Sequence, residues 1–216
     1  MKKLLASALV LAASLSSFTA SANLITNGSF EDNNVNTNSW RWFYAKDVNG
    51  WNGSNVEIWE KFLGVSAVDG VQFAELNSHA NGGQQFNIYQ NFTTNVGEIY
   101  DLSFFYRARR SNNEAFEVSV QDASNNTFFS QLMTDHVVGK WSVFTAQFTA
   151  VSTQTTLMFS SITPHAGTVG NFLDNIAVTG TNSFRQSNVS EPATYLLGAS
   201  VFLGLMLSRR RRQQTR

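Results

Sequence analysis

The chain has 216 residues, no cysteine, 18 phenylalanines, and charged side chains at only 14% of positions, against about 25% in ordinary soluble domains. The missing cysteines exclude disulfides, thiolate metal sites and cysteine nucleophiles. The formal charge is zero, but Lys2, Lys3, Arg209, Arg210, Arg211, Arg212 and Arg216 lie at the ends with one acid, Glu191, which leaves residues 23–189 with 8 basic and 14 acidic residues. A mildly acidic body argues against nucleic acid as a partner.

Residues 1–22 read as a secretory signal peptide. Lys2 and Lys3 form the charged start, residues 4–15 the apolar run, and Ala20-Ser21-Ala22 the small residues of a cleavage site. The body, 23–181, is rich in aromatics, Thr and Asn, which suits strands and turns. Its pattern predicts strands over 40–45, 55–60, 71–76, 86–93, 99–109, 115–121, 127–133, 141–150, 155–160 and 172–179. Turn signals separate them at Asn49-Gly50, Asn52-Gly53, Asp69-Gly70, Asn81-Gly82-Gly83 and Ser124-Asn125-Asn126. Tyr100, Leu102, Phe104 and Tyr106 share one strand face, and Phe116, Val118 and Val120 another. Strict alternation makes these rows core, with Ser111-Asn112-Asn113 expected to turn a hairpin between them. The fold class that follows is all-β, a two-sheet jelly-roll sandwich.

Residues 182–189 read as a polar linker. Behind it, Ser190-Glu191-Pro192 precedes an apolar run over 193–208 and the arginines Arg209, Arg210, Arg211 and Arg212. Sixteen helical residues reach ~24 Å, which snorkelling arginines extend to a bilayer core of ~30 Å. The arginines are expected to stay cytoplasmic, with the body across the inner membrane. Residues 190–212 resemble the PEP-CTERM sorting signal of Gram-negative bacteria, with Ser190 in place of the first proline. The resemblance implies an exosortase-type processing enzyme as partner. It also implies membrane anchorage before processing, and then the cell surface or the extracellular biofilm matrix. A plain tail anchor is the alternative.

The body carries NLITNGSFE from Asn23, then GWNGSNVEIWE, VDGVQFAELNS, NIYQNFTT, IYDLSFFYRARR and FLDNIAVTG. In that order these stretches resemble galactose-binding-like jelly rolls, including bacterial carbohydrate-binding modules. The resemblance implies an extracellular polysaccharide or glycan as partner. It also implies a structural Ca²⁺ held by an acid after the opening Phe and an acid of the final strand, here Glu31 and Asp174. Calcium takes hard oxygen ligands, and backbone carbonyls can complete the set. The alternative is a solvated turn residue at Glu31 and a turn or side-chain hydrogen bond at Asp174.

Four of the five tryptophans fall at Trp40, Trp42, Trp51 and Trp59. Indole rings offer apolar plates with a polar edge, suited to sugar rings. With Val56 and Ile58 in the core, Glu57 and Trp59 are expected on the opposite face, where a carboxylate beside an aromatic plate makes a sugar contact. The expected ligand-binding residues are thus Trp42, Trp51, Glu57 and Trp59, with Arg107 and Arg109 gripping an acidic or hydroxyl-rich polymer. Core packing of the tryptophans, and pairing of the arginines with Glu114 or Glu117, are the open alternatives. His79, His136 and His165 lack metal-ligand spacing and no nucleophile or phosphate-loop motif is present, so no catalysis is expected. Glu57, Glu60 and Glu75 remain the acids a glycosidase would draft. The expected function is a non-catalytic, glycan-associated surface or matrix protein. A purely structural or adhesive protein, or a glycan-active enzyme, are the alternatives.

Overall fold

The computed structural model describes residues 22–79 and 81–181. The expected signal peptide, linker and sorting anchor, with Ser190-Glu191-Pro192, fall outside them, and among the described residues no helix is long and apolar enough to cross a membrane. All ten predicted strands form. They are β1 (Ser39–Phe43), β3 (Val56–Glu60), β4 (Gln72–Glu75), β5 (Asn87–Thr93), β6 (Ile99–Arg107), β7 (Ala115–Gln121), β8 (Thr127–Met133), β9 (Ser142–Thr149), β10 (Gln154–Thr163) and β11 (Phe172–Gly180). An eleventh, β2 (Asn52–Gly53), occupies a position whose Asn-Gly pair reads as a turn. A Cβ on Gly53 would stand 2.2 Å from the Asn87 carbonyl, so only glycine lets β2 approach β5 this closely.

The strands form two antiparallel sheets, a six-stranded one in the order β1-β3-β4-β11-β6-β9 and a five-stranded one in the order β2-β5-β10-β7-β8. This is an all-β sandwich. Period-two alternation explains the faces between the sheets. Leu102, Phe104 and Tyr106 of β6 meet Phe116, Val118 and Val120 of β7 in the main core, with Val56, Ile58, Leu157 and Phe159. The expected β6–β7 hairpin does not exist: β6 pairs with β9 and β11, β7 with β8 and β10. Ser111-Asn112-Asn113 carries the chain from one sheet to the other, which lets both apolar rows face inward.

The opening segment runs along β11 and fastens the chain start without a disulfide. Leu24 N–H donates to the Val178 carbonyl (2.8 Å) and Ile176 N–H to the Gly28 carbonyl (3.0 Å). Asn23 bridges the same edge, accepting from Val178 N–H and donating to the Ile176 carbonyl. A Cβ on Gly28 would lie 2.1 Å from the Ile176 oxygen, which excludes any other residue there.

The outer face of the six-stranded sheet is covered too. Residues 61–71 lie across it and bury a second apolar cluster of Trp59, Val65, Phe73 and Phe172, flanked by Phe62, Ala67 and Trp141. Three side chains pin this cover. Trp141 Nε1–H donates to the Ser66 carbonyl, Asp174 accepts from Val68 and Asp69, and Glu31 accepts from Val71 and Gln72.

Candidate functional site

The cover decides which expected binding residues reach solvent. Val56 and Ile58 face the core and Glu57 and Trp59 the other way, as alternation requires, but that other face is not open. Trp59 is 1% exposed and Glu57 3%. Trp59 packs against Phe62, Phe73 and Phe172 at centroid distances of 5.0–6.0 Å. It is therefore an anchor for the cover and not a sugar platform. Trp51 is also core, 2% exposed, stacked on Phe30 at 5.3 Å, its Nε1–H donating to the Asn27 carbonyl.

Arg109 is likewise engaged within the protein. Its Nη1 lies 2.8 and 2.9 Å from the two carboxylate oxygens of Glu75, and its guanidinium sits 4.6 Å from the Trp59 ring. Glu114, an alternative partner for this side chain, instead accepts the backbone N–H groups of Arg109, Arg110 and Ser111. Glu57 and Glu75 face each other across β3 and β4. Burial pushes both carboxyls above the usual range, Glu75 well above it, while Arg109 pulls Glu75 back down. Glycosidase carboxyls stand about 5–9.5 Å apart around a cleft. A buried pair on adjacent strands, with arginine on one member, does not match that arrangement. The sequence offered Glu75 only as one of three acids a glycosidase would draft; its arginine partner stands 34 positions away. Arg107 is half-buried on β6, and its Nε has no hydrogen-bond partner among the described residues.

What remains open is β1, the edge strand of its sheet. Trp40 and Trp42 share the face opposite Phe43, and Tyr44 follows in extended conformation. Trp40 is 38% and Tyr44 52% exposed. Trp42 is half-buried, its ring perpendicular to Tyr44 at 5.2 Å and tilted toward exposed His79 at 6.5 Å. A depression of about 320 Å³ opens beside them, lined by Arg41, Trp42, Phe43, Tyr44 and Asp47. Trp42 is thus the one expected tryptophan plate that retains access to solvent. Tyr44, absent from the expected set, was detectable from the same spacing as Trp40 and Trp42.

Glu31 and Asp174 each hold amides of the cover or of the strand that follows it. Asp174 is buried at a bulge in β11; its Oδ2 accepts from Val68 and Asp69, its Oδ1 from Asn175. Burial outweighs these hydrogen bonds, and with Asp69 nearby the carboxyl is pushed up to about 6. Glu31 Oε1 takes two amides, and Oε2 has none among the described residues. Neither acid, nor Asp69, has a Lys or Arg partner among the described residues. The donor set is hard oxygen, the chemistry calcium takes, although no three acid or imidazole side chains converge among the described residues.

These features define a jelly-roll-type β-sandwich with an aromatic edge. Residues 23–179 match the family model described as "Protein of unknown function (DUF642)", and the chain belongs to that family. It is 32% identical over 167 residues to halomucin of Haloquadratum walsbyi, covering 72% of this chain and 2% of that protein. The chain thus spans only a small fraction of that relative. Among solved structures it is similar to TmCBM61 in complex with beta-1,4-galactotriose, at 16% identity and a TM-score of 0.50, covering 74% of this chain and all of the other. An arabinose-bound α-L-arabinofuranosidase follows at 15% identity, a TM-score of 0.49 and coverage of 74% and 26%. At 16% identity the likeness to TmCBM61 is one of fold.

Proposed function

We propose that this chain is a non-catalytic glycan-binding protein whose sugar platform is the β1 edge. The observation that carries the reading is the solvent-facing Trp42–Tyr44 pair, with Trp40 on the same strand face beside an open depression. Aromatic plates with amphipathic edges suit the flat C–H faces of pyranose rings. The likeness to TmCBM61, which was solved in complex with beta-1,4-galactotriose, supports the reading. The signal peptide and the Ser190-Glu191-Pro192 signal complete it. In this reading the chain is exported, held in the inner membrane until an exosortase-type enzyme acts, and then joins the cell-surface or biofilm matrix.

Trp42→Ala tests the platform. The expected result is at least a ten-fold loss of affinity on a glycan array, about 1.4 kcal/mol, with the thermal midpoint nearly unmoved because the ring is half-exposed. Unchanged affinity across every glycan bound by the wild type would remove Trp42 from the site. A wild type that binds no glycan would leave the adhesive or structural reading.

Calcium belongs to the same proposal. Glu31 and Asp174 would hold the ion through carboxylate oxygens, relieving the unpaired charge of Asp174 and tightening the cover over Trp59. Extracellular sites bind at ~10⁻⁴–10⁻³ M, and a hundred-fold excess stabilises by about 2.7 kcal/mol. Added calcium is expected to raise the melting midpoint, and chelator to lower it, in the wild type but not in Asp174→Asn. A midpoint indifferent to both additions, with no heat of binding, would leave the two acids as hydrogen-bonding clamps alone.

A further inference from the structure

Four strands end the two sheets, and three of them are blunted. β1 has five residues and carries Arg41, and β2 has two residues. β8 is interrupted by a register shift against β7, and its Leu132 carbonyl is already taken by Gln131 Nε2–H at 3.0 Å. Short length, charge and bulges keep a sheet edge from recruiting another strand. β9 has none of them. Its eight residues, Ser142–Thr149, include no charge, proline or glycine. It pairs with β6 in unbroken register, from Ser142 opposite Tyr106 to Thr149 opposite Ile99. Among the described residues the backbone of β9 bonds only β6, so a row of amides and carbonyls stands open along its other side.

The side chains of this edge suit a copy of the same strand. Val143, Thr145, Gln147 and Thr149 are exposed, while Phe144 and Phe148 pack in or against the main core. Antiparallel pairing of two β9 strands about a two-fold axis perpendicular to the sheet keeps both core-facing rows on one side and both exposed rows on the other. With no charge on the strand, no like charges meet at any register. Beside β9 lies a depression of about 420 Å³ whose lining includes Tyr106, Leu132, Asp135 and Val143. Leu132 is 49% and Val143 56% exposed, apolar surface that a second copy covers. Asp135, the charged residue of that lining, is held by the Tyr106 hydroxyl at 2.8 Å.

We infer that β9 is a self-association edge, at which two copies of this chain join β9 to β9 antiparallel and make one continuous sheet of their six-stranded sheets. The pairing stands on the edge itself; its consequence rests on the glycan-binding reading. β1 ends the same sheet at the side opposite β9. The joined sheet therefore carries an aromatic platform at each end, about 50 Å apart at ~4.8 Å per strand. Two platforms facing away from the joint let one dimer hold two polysaccharide chains and cross-link them.

The test follows hydrogen exchange by mass spectrometry on the full-length protein in detergent, over a dilution series. Amides of residues 142–149 are expected to exchange at least about ten-fold more slowly in the concentrated sample than in the dilute one, with those of β1 unchanged. Thr145→Lys and Thr145→Glu are each expected to abolish that protection, because they set like charges across the axis. The melting midpoint of either dilute variant should match the dilute wild type, since Thr145 is exposed. Mixing the two variants should restore the protection. Exchange at 142–149 indifferent to concentration, or protection that survives in both variants, would overturn the inference. So would a dimer with β9 unprotected, the signature of association through the apolar run over 193–208. Light scattering with a soluble glycan that the wild type binds tests the consequence. The wild type is expected to cross-link that polymer, and Thr145→Lys to bind it without cross-linking. A wild type that binds no glycan would remove the cross-linking role and the glycan-binding reading together, while the exchange data still decide the pairing.

Discussion

Replacing Trp59 with alanine is expected to cost about 3–5 kcal/mol, the range for a buried Phe or Trp truncated in a core. In a domain of this size that is a fall in melting midpoint of roughly 10 °C or more. The ring lies under residues 61–71 and touches Phe62, Phe73 and Phe172, with Arg109 on its remaining face. Removing it leaves a cavity in the smaller of two apolar clusters, which has few neighbours to collapse inward. Trp42→Ala is the internal comparison, because its ring is half-exposed at an edge strand. Calorimetry on the two variants, beside a glycan-binding assay, separates a packing tryptophan from a binding one. Loss of binding by Trp59→Ala with the midpoint held within about 2 °C would mean that the cover opens and that Trp59 meets ligand.

The contrast between these two tryptophans shows what the sequence carries. Alternation placed Val56 and Ile58 on one face of β3 and Glu57 and Trp59 on the other, and the structure agrees. Alternation fixes a side chain's face and nothing about what lies over it. The cover is an irregular stretch with Lys61 and Leu63 at φ of 52° and 53°, and no periodic signal announces that it folds back across the sheet. It is held by acids distant in the chain, Glu31 and Asp174, whose resemblance-derived place at the chain ends was legible but whose amide partners were not. The Ser111-Asn112-Asn113 turn misled for a related reason. A turn signal marks where a strand stops; whether the next strand joins the same sheet or crosses to the other is settled by where both apolar faces can be buried.

Arg109→Met is expected to destabilise by about 3–5 kcal/mol at neutral pH, the range for removing one partner of a buried ion pair, and the loss should depend on pH. Methionine keeps much of the bulk over Trp59, so the missing quantity is mainly charge. Glu75 is fully buried, and beyond Arg109 it accepts one backbone N–H, from Gly170. Burial raises its folded-state carboxyl above the unfolded value of about 4.3 and Arg109 opposes that rise. A carboxyl raised on folding is protonated in both states at low pH, where it costs nothing. As pH climbs past the unfolded value, the unfolded chain gives up its proton first, and stability falls until the folded carboxyl also ionises. Without Arg109 that fall runs to higher pH. The gap between wild type and Arg109→Met is therefore expected to be small near pH 4.5 and to widen toward pH 8 in urea-unfolding midpoints. Adding Glu75→Gln to Arg109→Met should recover most of the loss at pH 8, because the second change removes the charge that the first left unpaired. A gap constant across that pH range, or a double variant no more stable than Arg109→Met, would assign the role of Arg109 to packing on Trp59 and not to holding a buried carboxylate.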